Sequence, residues 1–126
     1  MILGTGIDLV KNSRIKDLIE KYEDRFLKKI YTEAEISYCQ QKINSAPSFA
    51  ARFAAKEAVL KALGTGMRNN SWQDIEVLND KLGKPEVKLS GSTAVRAQEL
   101  GVSSIFISIS HEKDFSIAQV VMEGAE

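Results

Sequence analysis

No segment of this chain restricts its fold more than the fifteen residues from Ala50 to Gly64, AARFAAKEAVLKALG. They are rich in Ala and Leu, hold no Pro, and carry no Gly before the last position. Such a run predicts a helix closed by a glycine at its C-terminus, with Pro47 tolerated in the first turn. Residues four apart stack on one helical face. Phe53, Glu57 and Lys61 therefore form one row, and Arg52 and Lys56 an adjoining one. Ala54, Ala55, Ala58 and Ala62 predict close packing on several sides of this helix. A carboxylate among cations on so closely packed a helix suits a metal-and-phosphate site. The plainer alternative is a solvated Glu57–Lys61 pair worth only about 0.2–0.5 kcal/mol.

A second carboxylate is available near the N-terminus. Gly4-Thr5-Gly6-Ile7-Asp8 places an acid toward the end of a strand predicted over Met1–Val10, whose glycines let a ligand or another backbone come close. Mg²⁺ takes oxygen ligands, usually one or two carboxylates with substrate phosphates and water, and Asp8 with Glu57 meets that requirement. A helix cap is the competing role for Asp8. His111, the only histidine, ends a strand at a tight turn, where ligand contacts concentrate, although a lone histidine is more often structural. Gly64-Thr65-Gly66 is too short for a P-loop, yet its N–H groups suit a phosphate. Cys39 has no second cysteine or histidine near it in sequence, which argues against zinc and against a nucleophilic thiol.

At 126 residues the chain is expected to be one domain, 1–126. Its 17 Lys and Arg balance its 17 Asp and Glu, so no global field draws it to nucleic acid or anionic lipid. One cysteine, no leader-like start and no apolar run near about 20 residues together predict a cytoplasmic protein without a membrane span. Asn12 or Ser13 is expected to cap a helix carrying Ile15, Leu18, Ile19 and Tyr22 on one stripe. Thr32 to Glu35 is a capping-box pattern for a helix to about Gln41, and Ser71 to Asp74 starts a connector. Ile75–Leu78 and Pro85–Leu89 read as a hairpin, Ser92–Leu100 as a helix closed by Gly101, and Ser104–Ser110 with Phe115–Met122 as two further strands. Without regular βαβ alternation the class is α+β: a small, mainly antiparallel sheet against a long central helix and shorter helices. If the helix begun at Asn12 runs on, Arg14, Lys21, Arg25 and Lys28 fall in one narrow band. That band reads as a docking strip for an acidic protein, or as a solvated face. Nucleic acid is disfavoured because no aromatics interleave the charges.

Gly6-Ile7-Asp8 and the run Phe53 to Lys61 (FAAKEAVLK) resemble the two signature motifs of the 4′-phosphopantetheinyl transferases, in their short bacterial subclass. Gly64-Thr65-Gly66, Gly83-Lys84-Pro85 and Ile109-Ser110-His111 are similar to further landmarks in the same order, so the likeness spans nearly the whole chain. The resemblance implies transfer of phosphopantetheine from coenzyme A to a serine of apo-acyl-carrier protein, releasing adenosine 3′,5′-bisphosphate, in fatty acid biosynthesis. It implies Mg²⁺ held by Asp8 and Glu57, with Lys61 stabilising or protonating the departing phosphate. Glu57, or a water on the metal, would take the serine proton. Arg52, Lys56, Lys61, Gly64, Thr65, Gly66, Lys84, Pro85 and His111 would contact coenzyme A, and Arg14, Lys21 and Arg25 the acidic carrier. Larger relatives carry another acid where this chain has Val10, which implies a water in that coordination position. They also contain two similar halves where this chain supplies one, which implies a homotrimer with sites between subunits. Two rival readings of the same residues are a metal-dependent phosphohydrolase and a non-catalytic module for acidic proteins.

Overall fold

A computed structural model of the chain describes residues 1–66 and 70–126. The long helix, α4 (Ala46–Leu63), forms as its composition requires, and Gly64 closes it at φ 73, donating to the carbonyls of Leu60 and Lys61. Ala50, Ala54, Ala55 and Ala58 are wholly buried, so this helix is the axis of the core. Before it come β1 (Ile2–Lys11), α1 (Asn12–Tyr22), α2 (Asp24–Ile30) and α3 (Glu33–Gln40). After it come a 3₁₀ turn (Trp72–Asp74), the hairpin β2 (Ile75–Asn79) and β3 (Pro85–Leu89), then α5 (Gly91–Leu100), β4 (Val102–His111) and β5 (Phe115–Gly124). The class is α+β. One sheet runs β1-β5-β4 and the other β2-β3, both antiparallel. No helix among the described residues is long and apolar enough to cross a membrane.

Strand alternation aims one face of the three-stranded sheet at α4. Val10, Ala118, Val120 and Met122 are buried there. The contact is close because β1 presents glycines to the helix. A Cβ on Gly4 or Gly6 would stand well under 3.0 Å from the carbonyl oxygens of Ala62 or Ala58 respectively. The two small-residue patterns of the sequence are thus the two sides of a single backbone crossing.

Three expectations change. Asn12 does not cap α1: the N-cap is Lys11, without a side-chain cap bond, and the Asn12 amide turns away to the β4–β5 turn. Tyr22 does not share the buried stripe of Ile15 but stands exposed, with the Lys21 ammonium over its ring. The helix also does not run on. Glu23 adopts φ 50, a left-handed value for a non-glycine residue, and α2 starts afresh at Asp24. Arg14 and Lys21 therefore lie on one helix and Arg25 and Lys28 on the next, so the basic band is not one helical face. The Thr32 capping box is present as expected.

Gly6→Ala tests the crossing. The added methyl has to displace helix backbone, so the variant should lose about 1–3 kcal/mol of stability, read as a lower urea midpoint.

Candidate active site

The crossing of β1 over α4 brings the two acids together. Asp8 lies two residues beyond Gly6, and Lys61 reaches across from α4, its Nζ 3.0 Å from Asp8 Oδ1 and 2.9 Å from the carbonyl of Ile7. Glu57 stands one turn before Lys61 on the same row. Burial pushes the Glu57 carboxyl above its ordinary range, and the like charge of Asp8 adds to this, while Lys61 and Arg14 oppose it. Arg14 arrives from α1 with its guanidinium 5.7 Å from the centroid of the Phe53 ring. Phe53 in turn stacks on Trp72, the ring centroids 5.1 Å apart. Phe53, Glu57 and Lys61 thus share the face that the periodicity predicted.

Two partly desolvated carboxylates whose charges repel each other fit a hard divalent cation, which relieves that repulsion and leaves its other positions to phosphate and water. Among the described residues no group of three or more His, Cys, Asp and Glu side chains gathers, so a cage made wholly of protein ligands is not built here. Val10, two residues after Asp8, is buried in the core. Cys39 is also buried, accepts a hydrogen bond from Ser48, and has its thiol pushed up by desolvation, which suits packing rather than attack.

A second constellation forms around Arg52. A cavity of about 570 Å³ is lined by Arg52, His111, Pro85, Gly83, Tyr38 and Asn79, among others. Arg52 is only 4% exposed and donates to Ser48 and to Asn79 Oδ1. Its guanidinium carbon lies 4.3 Å from the Tyr38 ring centroid, and its buried Nε has no hydrogen-bond partner among the described residues. This is a preset cation facing an open hollow. Arg52 and Glu57 stand about 140° apart around α4 at 3.6 residues per turn. The lining of this cavity includes none of Asp8, Glu57 and Lys61. Gly64 and Thr65 border a separate hollow of about 600 Å³ beside Asn70 and Arg96. Gly66 takes φ 58 in the same turn. Lys84 is exposed in the β2–β3 turn, its N–H held by Asp80, and does not line the Arg52 cavity.

Lys56 departs from its expected role as a phosphate contact. It is wholly buried, its Nζ 2.8 Å from Oε1 of an equally buried Glu35, and it donates also to the carbonyls of Trp72 and Ile75. Desolvation lowers its ammonium from the ordinary value, and Glu35 opposes that shift. Glu35 accepts the N–H groups of Thr32 and Val77 as well. Lys56 therefore ties α3 and β2 to α4 and cannot reach a ligand. Sequence reasoning read Glu35 as part of a capping box, which it is, and nothing local marks it also as the partner of Lys56. It also passed over Tyr38 and Asn79, of which only Asn79 carries a signal, as an Asn at a strand end before a turn.

The family model of the 4′-phosphopantetheinyl transferase superfamily matches residues 4–120. The chain belongs to that superfamily. The holo-[acyl-carrier-protein] synthase of Koribacter versatilis is 50% identical over 124 residues, covering 98% of this chain and 99% of that protein. The crystal structure of the synthase from Neisseria meningitidis aligns at a TM-score of 0.89 with 39% identity, over 98% of this chain and 99% of that one. The synthase from Bacillus anthracis, solved in complex with CoA (3′,5′-ADP), aligns at 0.82 with 38% identity over 99% of both chains. For this phosphopantetheinyl transferase superfamily member, the residues that resembled the two signature motifs meet at the β1–α4 crossing.

The raised Glu57 carboxyl has a measurable consequence. Its ionised form is penalised in the fold, so the cost is absent below the unfolded carboxylate value of about 4.3 and grows as pH rises through the elevated folded value. In metal-free buffer Glu57→Gln should therefore be more stable than the wild type at about pH 7 and lose that advantage near pH 4. Urea unfolding across this range checks it; an advantage that grows on acidification would contradict it.

Proposed function

We propose that the chain moves the 4′-phosphopantetheine group of coenzyme A onto a serine of apo-acyl-carrier protein, releasing adenosine 3′,5′-bisphosphate. The observation that carries this reading is the meeting of Asp8, Glu57 and Lys61 at the β1–α4 crossing, in a chain whose relatives of nearly equal length are holo-[acyl-carrier-protein] synthases. Asp8 and Glu57 would hold a Mg²⁺ ion, whose chemistry would be to neutralise charge at the pyrophosphate under attack. Lys61, already fixed on Asp8, places its ammonium where the departing phosphate gains charge. Glu57, or a water beside it, takes the serine proton. Arg52, His111 and Pro85 hold the nucleotide end of coenzyme A in their cavity, and Gly64, Thr65 and Gly66 offer backbone groups.

The carrier docks on α1 and α2. Arg14 leans over Phe53 toward Glu57, so a carrier seated there presents its serine to the carboxylate pair. Leu18, Tyr22, Arg25, Phe26 and Lys29 line an apolar hollow with a basic rim, which suits an acidic amphipathic helix. The broken band thus serves as a patch across two helices, with Lys21 and Arg25 on either side of Glu23. The assembly is a homotrimer in the cytoplasm. Ile7, Leu9 and Phe106 on the outer sheet face are each more than half exposed, an apolar surface that a neighbouring copy would cover. Because the Arg52 cavity and the carboxylate pair face different sides of α4, a complete site takes one from each of two neighbours.

Mass spectrometry of apo-carrier protein incubated with coenzyme A and Mg²⁺ should show the phosphopantetheine mass gain. Free phosphopantetheine formed from coenzyme A without carrier would instead favour the phosphohydrolase. Asp8→Ala and Glu57→Ala should each lower kcat by about 10²-fold or more. Glu57→Ala and Arg52→Gln, each inactive alone, should regain transfer when denatured and refolded together. No recovery would remove the shared site.

Reversing Arg14, Lys21 and Arg25 to Glu should raise the KM for carrier protein and spare that for coenzyme A. The wild-type carrier KM should also rise with salt, since exposed charges are screened beyond about 8 Å at 0.15 M. An unchanged carrier KM would leave these residues as a solvated face.

A further inference from the structure

The amide of Asn12 joins two parts of the molecule that are about a hundred residues apart. Its Nδ2 donates to the carbonyls of Glu112 at 2.9 Å and Lys113 at 3.1 Å, and its Oδ1 accepts from Ser116 Oγ at 2.7 Å. Its backbone N–H donates to Asp114 at 2.8 Å. Both amide hydrogens are used, the residue is 5% exposed, and Ser116 is wholly buried. The turn gripped in this way follows directly on His111, the imidazole that lines the Arg52 cavity. Glu112, Lys113 and Asp114 are themselves exposed. Inside the turn Glu112 Oε1 accepts the N–H groups of Asp114 and Phe115, which shapes it without anchoring it to the body of the protein. Asn12 supplies that anchor, at the point where β1 passes into α1.

We infer that Asn12 is a positioning residue for coenzyme A: by holding the carbonyls of Glu112 and Lys113 it sets where His111 stands opposite Arg52. The inference rests on reading that cavity as the nucleotide site. A turn held in place before the ligand arrives does not have to be ordered on binding, so the effect falls on affinity. It spares the chemical step, because Asp8, Glu57 and Lys61 lie outside this cavity. Asparagine suits the role where aspartate does not, since two carbonyls need two donors.

Steady-state kinetics of Asn12→Ala, His111→Ala and the double variant test the inference. Loss of these bonds should raise the KM for coenzyme A by about 3- to 10-fold. The kcat and the carrier KM should stay within about twofold, and the double variant should be no worse than His111→Ala alone, because both changes remove one interaction. Additive losses, an unchanged coenzyme A KM in a folded Asn12→Ala, or a loss falling on the carrier KM through α1 would each overturn it. If Asn12→Ala fails to fold, Ser116→Ala, which removes the hydroxyl that orients Oδ1 and also bonds the Pro47 carbonyl at 3.3 Å, should show the same split at smaller size; its absence overturns the inference. Wild-type protein that transfers nothing would instead sink the functional reading.

Discussion

The close passage of β1 over α4 is the constraint on which the rest of the structure depends. Strand and helix approach until the carbonyls of Ala58 and Ala62 occupy the space where side chains at Gly6 and Gly4 would stand. Only glycine permits that distance without moving a backbone. The passage sets the depth at which the three-stranded sheet meets the core. It also sets the position of Asp8, two residues further along the same strand, against Lys61 and Glu57 on the helix. Packing and the candidate site share one contact here, so a change that loosens the fold at this point also separates Asp8 from Lys61.

Around α4 the charged residues divide by direction. Lys56 faces inward to Glu35, where two buried charges neutralise each other and satisfy four backbone groups, the carbonyls of Trp72 and Ile75 and the N–H groups of Thr32 and Val77. Such a pair adds little net stability compared with apolar packing, but removing one member leaves an uncompensated charge. It therefore specifies an arrangement: α3, the 3₁₀ turn and β2 can sit against α4 in one way. Arg52, one turn earlier, is held by Ser48, Asn79 and Tyr38 and keeps part of its guanidinium for the cavity. Glu57 and Lys61 face the strand instead. Charged residues of one helix thus face three different surroundings: a buried carboxylate, an open cavity and the strand β1.

Local chemistry made much of this legible in the sequence. α4, its glycine terminator, the β2–β3 and β4–β5 hairpins and the Thr32 capping box follow from periodicity and turn residues, which act over a few positions. The row Phe53, Glu57, Lys61 was equally legible, because helical spacing alone places it, and a paired acid with a lysine suggests its own chemistry. What could not be read was which buried group faces which. Lys56 and Lys61 look alike in the sequence, as do Asn12 and any helix cap. The break at Glu23 carried no glycine or proline to announce it.

The sequence by itself therefore determined the elements, the α+β class and the identity of Asp8, Glu57 and Lys61 as groups able to act together. Each of these depends on interactions within a turn of helix, a strand or a hairpin. Tertiary structure alone decided that Lys56 is closed off by Glu35, that Asn12 grips the turn after His111, and that Arg52 and His111 share a cavity on a different side of α4 from the carboxylates. Those outcomes depend on contacts between residues from roughly twenty to a hundred positions apart. Long-range partners of that kind are chosen by which faces the whole core buries, and no local pattern encodes that choice.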